Sequence, residues 1–559
     1  MDNLRLVLVF SLALVLLLIY QAWMRDYGTE SPSVAYSQPE PKTTIKAEDR
    51  PELPQGVPEA ATPAPSAISK AELAPLASSQ LEPIRVETDV LRIEISPRGG
   101  TLASAWLLHY PVTPDRREDK VRLFKPDTPN LFLAQSGLIG TKPQRLPTHE
   151  AIFESANTRY ALAPDKDTLE IVLTWTNNSG IEVRKRYGFQ RGSYLITLTQ
   201  EISNGTDVPL VTRSYSQLQR TDLIDPNASR FVHTYTGGVY YTPEDKYNKV
   251  SFDSMRETKL DRPVLDGWLA MIQHYFLAAW IPPRGVEETF YTNVLDGNRY
   301  IIGAYSPAVT IGAGASHQFD SQLFVGPKLQ DTLAKIAPGL DLTVDYGWLT
   351  VIAQPIHWLL AKIHDVVGNW GWSIIVLTIL IKLAFYKLSE TSYKSMANMR
   401  ELGPRIQALK DRYGDDKERL NQAMMELYKT EKINPLGGCL PIVVQIPVFI
   451  ALYWVLLESV ELRQAPWILW IDNLSAPDPY FVLPLIMGVS MFVQQKLNPA
   501  PPDPMQAKIM MSLPFVFTVF FAFFPSGLVL YWTVNNLLSI SQQWYITRNI
   551  AKAAAKRRR

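Results

Sequence analysis

The side chains with the most chemical consequence in this chain lie inside apolar runs. Lys382 stands within residues 373–388 and is the only basic residue within any predicted hydrophobic core, Arg5 and Lys387 lying near the ends of their runs. A cation at mid-bilayer costs about 3 kcal/mol on insertion scales, so its placement calls for a role. Thr378 lies four residues earlier on the same helical face. A second polar set, Tyr531, Asn535, Ser539 and Gln542, recurs at spacings of four, four and three, with Asn536 and Gln543 beside it. That spacing wets one side of a helix. Gln445 sits in a third apolar run, and Gln494 and Gln495 close a fourth. Polar groups at membrane depth must face protein or a water-filled cavity, because lipid offers no hydrogen bonds. The pattern points to a hydrated groove inside the membrane carrying one positive charge, a site for attraction and hydrogen bonding. Two other readings stay open at this level. Lys382 is about six residues, roughly 9 Å, from the nearer end of its run, so its ammonium can snorkel to the interface. The polar stripes can also serve ordinary interhelical hydrogen bonding.

Bond-making chemistry finds little support. The single cysteine, Cys439, rules out an intrachain disulfide, and the seven histidines show no metal-ligand spacing with it or with one another. His357 and His364 are seven apart on an amphipathic stretch without a carboxylate or cysteine at ligand spacing, and read as interfacial polar residues. The carboxylates outside the apolar runs are too scattered to nominate an acid–base pair. No metal or cofactor is expected, and the chain is not expected to be an enzyme. A solute transporter is one rival reading, but matching repeats with broken helices and an intramembrane Asp or Glu are missing from the pattern. An envelope enzyme or sugar-binding protein built on the strand-rich domain is the second, which fold alone does not exclude.

The elements that must position these residues form a mosaic. The chain has 559 residues, 47% of them hydrophobic, beside 42 prolines, and its net charge of +1 hides strong local segregation. Residues 4–23 are almost wholly apolar, about 20 residues and enough to cross a hydrocarbon core of about 30 Å. The run ends in Gln21, Ala22, Trp23, Met24 and Arg25, without a small-residue cleavage site, so 1–24 reads as an uncleaved signal anchor, with a cleaved signal peptide as the alternative. Residues 25–83 shift to Pro, Ser, Ala, Glu and Thr, the composition of a disordered linker. Over 84–340 the pattern is that of strands: Leu91, Ile93 and Ile95 alternate with Arg92, Glu94 and Ser96, and turn signals such as Arg98-Gly99-Gly100 and Asp296-Gly297-Asn298 punctuate the runs. A large β-sandwich is expected. Residues 345–367 carry polar groups at helical spacing and read as an interfacial amphipathic helix.

Residues 368–548 hold five further spanning candidates: 369–388, Leu440–Glu458, 480–495, 509–524 and 527–545, with Trp370, Trp372, Trp470, Tyr480, Trp544 and Tyr545 near their ends as an interfacial belt. The expected fold class is therefore a polytopic α-helical membrane protein of six transmembrane helices, five of them forming the core, with a large extracytoplasmic β-sandwich. Residues 389–432 read as a helical hairpin with apolar Met396, Met399, Leu402, Ile406 and Leu409 on one arm and Leu420, Met424, Leu427 and Tyr428 on the other. Gly403-Pro404 should kink the first arm, and Asp415 is a candidate N-cap of the second. The connections on one side of the membrane contain eighteen Lys and Arg residues, including Lys387, Lys394, Arg405, Lys496, Lys508 and Arg548, whereas the opposite set contains only Arg463. The basic side is placed in the cytoplasm with both termini, the basic tail 549–559 among them, and the strand-rich domain outside.

Three stretches carry a specific resemblance: NPLGGCLP (434–441), VELRQAP (460–466) and above all FPSGLVLYW (524–532). They resemble signature segments of the YidC insertases in the Oxa-type superfamily, over essentially the whole chain and most strongly from Asp345 to Arg548. The large external domain resembles the Gram-negative form, whose β-supersandwich is absent from organellar relatives. The resemblance implies a groove open to cytoplasm and lipid, bacterial inner-membrane localisation, and nascent membrane proteins, the Sec translocon, the ribosome and the lipid bilayer as partners. It carries the family's substrate-contacting positions to Thr378, Lys382, Tyr531 and Trp532. The family's groove charge is typically Arg. Lys382 keeps the charge but loses the planar fork, which puts bidentate capture of a client carboxylate in doubt. The basic tail suits ribosome contact by attraction to RNA, with a solvating or positive-inside role as an equal alternative.

Overall fold

A computed structural model describes residues 82–140, 146–222, 234–414, 416–431, 440–498 and 504–557. The expected first span, the linker up to residue 81, Asp415, Cys439, most of the 434–441 stretch and the last two arginines lie outside the described residues. The chain forms two compact units. Among the described residues, one holds residues 82–353 together with Tyr453–Ala476, and the other holds Gln354–Leu452 and the chain from Pro477 onward.

In the first unit the expected alternation becomes two largely antiparallel sheets, one of eleven strands and one of nine. Leu91, Ile93 and Ile95 point inward from the strand Leu91–Ser96 while Arg92 is exposed. The turn into Thr101–Pro111 puts Gly99 at φ 75°, where a Cβ would lie 2.2 Å from the His149 carbonyl oxygen, so only glycine fits. At the centre of the larger sheet, Leu210–Thr221 pairs antiparallel with Phe132–Gly140 and with Arg299–Tyr305. In the smaller sheet, Leu195–Asn204 pairs antiparallel with Ile181–Gln190 and Ser316–Pro327. The inward faces share one core, with Leu218 and Ile302 from one sheet and Leu198, Trp280 and Phe324 from the other. Burial of each such large side chain stabilises by about 1.5–3 kcal/mol. Trp280 Nε1 donates to the Gln217 carbonyl at 3.1 Å, a hydrogen bond from sheet to sheet.

The segment Tyr453–Ala476, expected as the end of the Leu440–Glu458 span and the external connection after it, is built into this unit. Val460 joins the core. Arg463 Nη2 donates to the Pro111 carbonyl at 2.8 Å, Gln464 Nε2 donates to the Pro111 carbonyl at 3.1 Å, and His274 Nε2 donates to the Leu457 carbonyl at 3.0 Å.

The helical unit departs from expectation mainly at its first span. Asn369 caps Trp370–Ala384 by accepting the Trp372 N–H at 3.1 Å. That helix stops at Ala384 instead of running to residue 388, and the chain turns by 66° into Tyr386–Glu401. No proline or glycine lies between Gly371 and Gly403, so the bend is not written in a breaker. Both arms pack against the C-terminal helix Ser526–Arg557. The break before Gly403–Tyr413 falls at Leu402, with Pro404 in the first turn of the following helix. Leu402, Ile406, Leu420 and Met424 close the small core between that helix and Lys417–Thr430. The N-cap of Lys417–Thr430 is Asp416, one residue later than expected, accepting the backbone N–H groups of Glu418 and Arg419. The remaining helices are Leu440–Glu458, Val482–Leu497, Pro504–Phe521 and Ser526–Arg557. Among the described residues no single helix is both long and apolar enough to cross a membrane; the bent pair meets the criterion only when its two arms are taken together.

Candidate functional site

Lys382, in the last turn of Trp370–Ala384, meets the C-terminal helix. Its Nζ donates to Ser539 Oγ at 2.8 Å. Ser539 Oγ donates in turn to its own helix, to the Asn535 carbonyl at 2.7 Å, and the Tyr393 hydroxyl reaches the Ser539 carbonyl at 3.5 Å. One turn earlier, Asn535 Oδ1 accepts from Gln445 Nε2 at 2.9 Å. Tyr531, a further turn along, is 1% exposed, contacts Gln445, and stacks on Phe449 with ring centroids 5.9 Å apart. Trp532 meets Phe449 edge-on at 4.4 Å and packs on Phe521 at 4.9 Å. Five polar residues noted in the sequence, Lys382, Gln445, Tyr531, Asn535 and Ser539, thus share one connected region contributed by three helices. Among the described residues the ammonium has a hydroxyl partner and no carboxylate partner.

Two site candidates are placed differently. Thr378 is buried, and its hydroxyl donates to the Ile374 carbonyl of its own helix at 2.6 Å, so its hydrogen bond is spent locally. Gln542 has a buried Nε2 without a hydrogen-bond partner among the described residues. The neighbours Asn536 and Gln543 belong to another face: Asn536 Nδ2 donates to Ser490 Oγ at 3.1 Å, and Gln543 Nε2 to the Leu497 carbonyl at 3.2 Å. Those two serve interhelical hydrogen bonding, while the Asn535–Ser539 stripe meets the lysine. His364 stacks on Trp370 with centroids 3.9 Å apart.

Tyr393 was missed because 391–431 reads as a charged hairpin. The signal was available in Ser389, Ser392 and Tyr393, spaced to share a helical face, of which the two serines are buried. Ser490 was missed because a lone serine in an apolar run carries no pattern.

Residues 83–359 match the family model of the YidC periplasmic domain, and residues 362–553 match that of the 60Kd inner membrane protein. The two matches define an inner-membrane protein class with a large strand-rich periplasmic domain. The chain is 54% identical to the membrane protein insertase YidC of Thioalkalivibrio sulfidiphilus and 51% identical to that of Methylococcus capsulatus, covering 100% of both partners in each comparison. A crystal structure of an active YidC insertase with its first transmembrane domain resolved aligns at TM-score 0.38 and 18% identity, covering 83% of this chain and 92% of that one. The chain belongs to the YidC family of membrane protein insertases.

Proposed function

We propose that this chain inserts newly made membrane proteins into the bacterial inner membrane through a hydrophilic groove lined by Lys382, Gln445, Tyr531, Trp532, Asn535, Ser539 and Gln542, with Thr378 behind it. The observation that carries this reading is a cation held by a hydroxyl, without an acidic partner among the described residues, beside an Asn–Gln pair. Such a region gives the polar external segment of a client a wet path partway across the bilayer and lowers the desolvation barrier that lipid imposes. Lys382 attracts acidic residues in that segment; a close pair in a partly hydrated site is worth about 1–4 kcal/mol. Apolar parts of the client slide into lipid beside the groove, and uneven apolar thickness of the spans thins the bilayer nearby. No covalent step is involved, so the chain is an insertase and chaperone, not an enzyme.

In the full topology six helices span the membrane, five of them forming the insertase core, and the first anchors the chain through the 25–83 linker. The strand-rich domain is a periplasmic β-supersandwich, and both termini lie in the cytoplasm. The hairpin within 389–432 and the basic tail 549–559 receive clients from the ribosome. The chain works alone or with the Sec translocon. Reconstitution tests the core of this proposal: purified protein in liposomes should protect the translocated tail of a small single-span client from added protease. Protection no greater than in empty liposomes would overturn it.

A further inference from the structure

An ammonium on a four-carbon stem is a poor fixed charge. Lysine carries large rotamer entropy, and free to move it would reach for the membrane interface. In this structure the ammonium is tied to one atom. Ser539 is 3% exposed, and its hydroxyl proton is already given to the Asn535 carbonyl at 2.7 Å. The oxygen's lone pairs are therefore left for Lys382, whose Nζ lies 2.8 Å away. Ser539 is itself held from two sides: Tyr393 reaches its carbonyl, and Asn535, one turn away, is fixed by Gln445.

We infer that Ser539 is a positioning residue, parking the Lys382 ammonium in the groove as a charge that is held but not cancelled. This rests on the reading of Lys382 as the groove's attracting charge. A neutral hydroxyl fixes the ammonium yet leaves its field intact, whereas a carboxylate in the same place would neutralise it. Ser539 occupies one of three ammonium donors. A client carboxylate forms a charge-assisted bond roughly twice as strong as a neutral one, so it joins or displaces the serine when it arrives. Ser539 then governs discrimination between acidic and neutral clients through the ammonium it holds.

The test is a mutant cycle in proteoliposomes, scored as the ratio of acidic-tail to neutral-tail client protected from protease. Ser539→Ala should lower that ratio about two- to tenfold, the range of one lost hydrogen bond. Ser539→Thr keeps the hydroxyl and should restore the ratio, while the near-isosteric Ser539→Val should not. In a Lys382→Ala chain none of these substitutions should change the ratio further, because the group they position is gone. The Thr and Val pair decides the matter if the alanine variant fails to assemble. An unchanged ratio in Ser539→Val, or the same fall in the Lys382→Ala background, overturns the inference. If Lys382→Ala alone leaves the ratio unchanged, the groove-charge reading falls and this inference with it. If Lys382→Ala lowers it while the Ser539 variants do not, only the positioning role falls.

Discussion

Two lysines in this protein have opposite surroundings, one fully buried and one half-buried. Lys185, inside the strand-rich unit, gives its three protons to the Gly99 carbonyl at 2.7 Å, the Ser136 carbonyl at 2.8 Å and Ser136 Oγ at 2.9 Å. It is a saturated structural lysine, and burial pushes its pKa down to about 7. Among the described residues Lys382 has one acceptor, which leaves donors for the recognition role proposed for it. His274 gives the residue scale its pH test. Burial first, and then the Lys328 and Arg463 charges, push the His274 pKa down to about 3, while its Nε2 donates to the Leu457 carbonyl. The unfolded chain takes up a proton near pH 6.5 and the folded chain resists until about pH 3, so stability is intact above 6.5 and falls as the pH drops below it. The slope is up to about 1.4 kcal/mol per pH unit, or about 2 kcal/mol between pH 6.5 and 5. In thermal unfolding of the detergent-solubilised chain, His274→Gln should be distinctly less acid-sensitive than the parent over that interval. Parallel profiles would show that this imidazole does not set acid stability. Neither lysine's surroundings nor the histidine's partner could be read from sequence, since each is supplied by strands or segments distant along the chain.

At the scale of elements, apolar runs located the helices well and their ends poorly. Leu440–Glu458 has the expected bounds, whereas the 66° turn at Phe385 was invisible because no breaker residue marks it. The Asn535–Ser539 stripe was legible from a spacing of four, but which neighbour each polar side chain meets was not. Adjacent positions on a helix diverge by about 100°, which is why Asn535 meets Gln445 while Asn536 meets Ser490. One close approach between elements is directly testable. A Cβ on Gly488 would lie 1.9 Å from Thr518 Oγ1, and that hydroxyl is occupied by the Pro514 carbonyl at 2.7 Å. Gly488→Ala must push Val482–Leu497 and Pro504–Phe521 apart or break the Thr518 bond, at a cost of about 1–3 kcal/mol. The variant should melt at lower temperature, and adding Thr518→Ala should recover part of the loss. A melting temperature equal to that of the parent would mean the helices have room to spare.

Over the whole molecule, period-two alternation sufficed to forecast a large strand-rich domain after the linker. Strand order in the two sheets was out of reach, because it depends on pairings such as Leu195–Asn204 with Ser316–Pro327 that join residues more than a hundred positions apart. The same limit hid the docking of Tyr453–Ala476, whose Val460 completes the core of the strand-rich unit. What the sequence pointed to was one cation and a polar stripe within otherwise apolar helices, and the structure brings Lys382, Ser539, Asn535 and Gln445 together. The central claim is that the charge at position 382 selects acidic clients. Its most direct test compares the parent, Lys382→Arg and Lys382→Ala chains, each given paired single-span clients whose external tails differ only in acidic content. Protease protection is the readout. Lys382→Arg should insert both clients as the parent does. Lys382→Ala should fold, insert the neutral-tail client normally and lose about fivefold or more for the acidic tail, as expected for an attraction of about 1 kcal/mol or greater. Equal insertion of both clients by Lys382→Ala would contradict the account and reduce this lysine to a snorkelling residue.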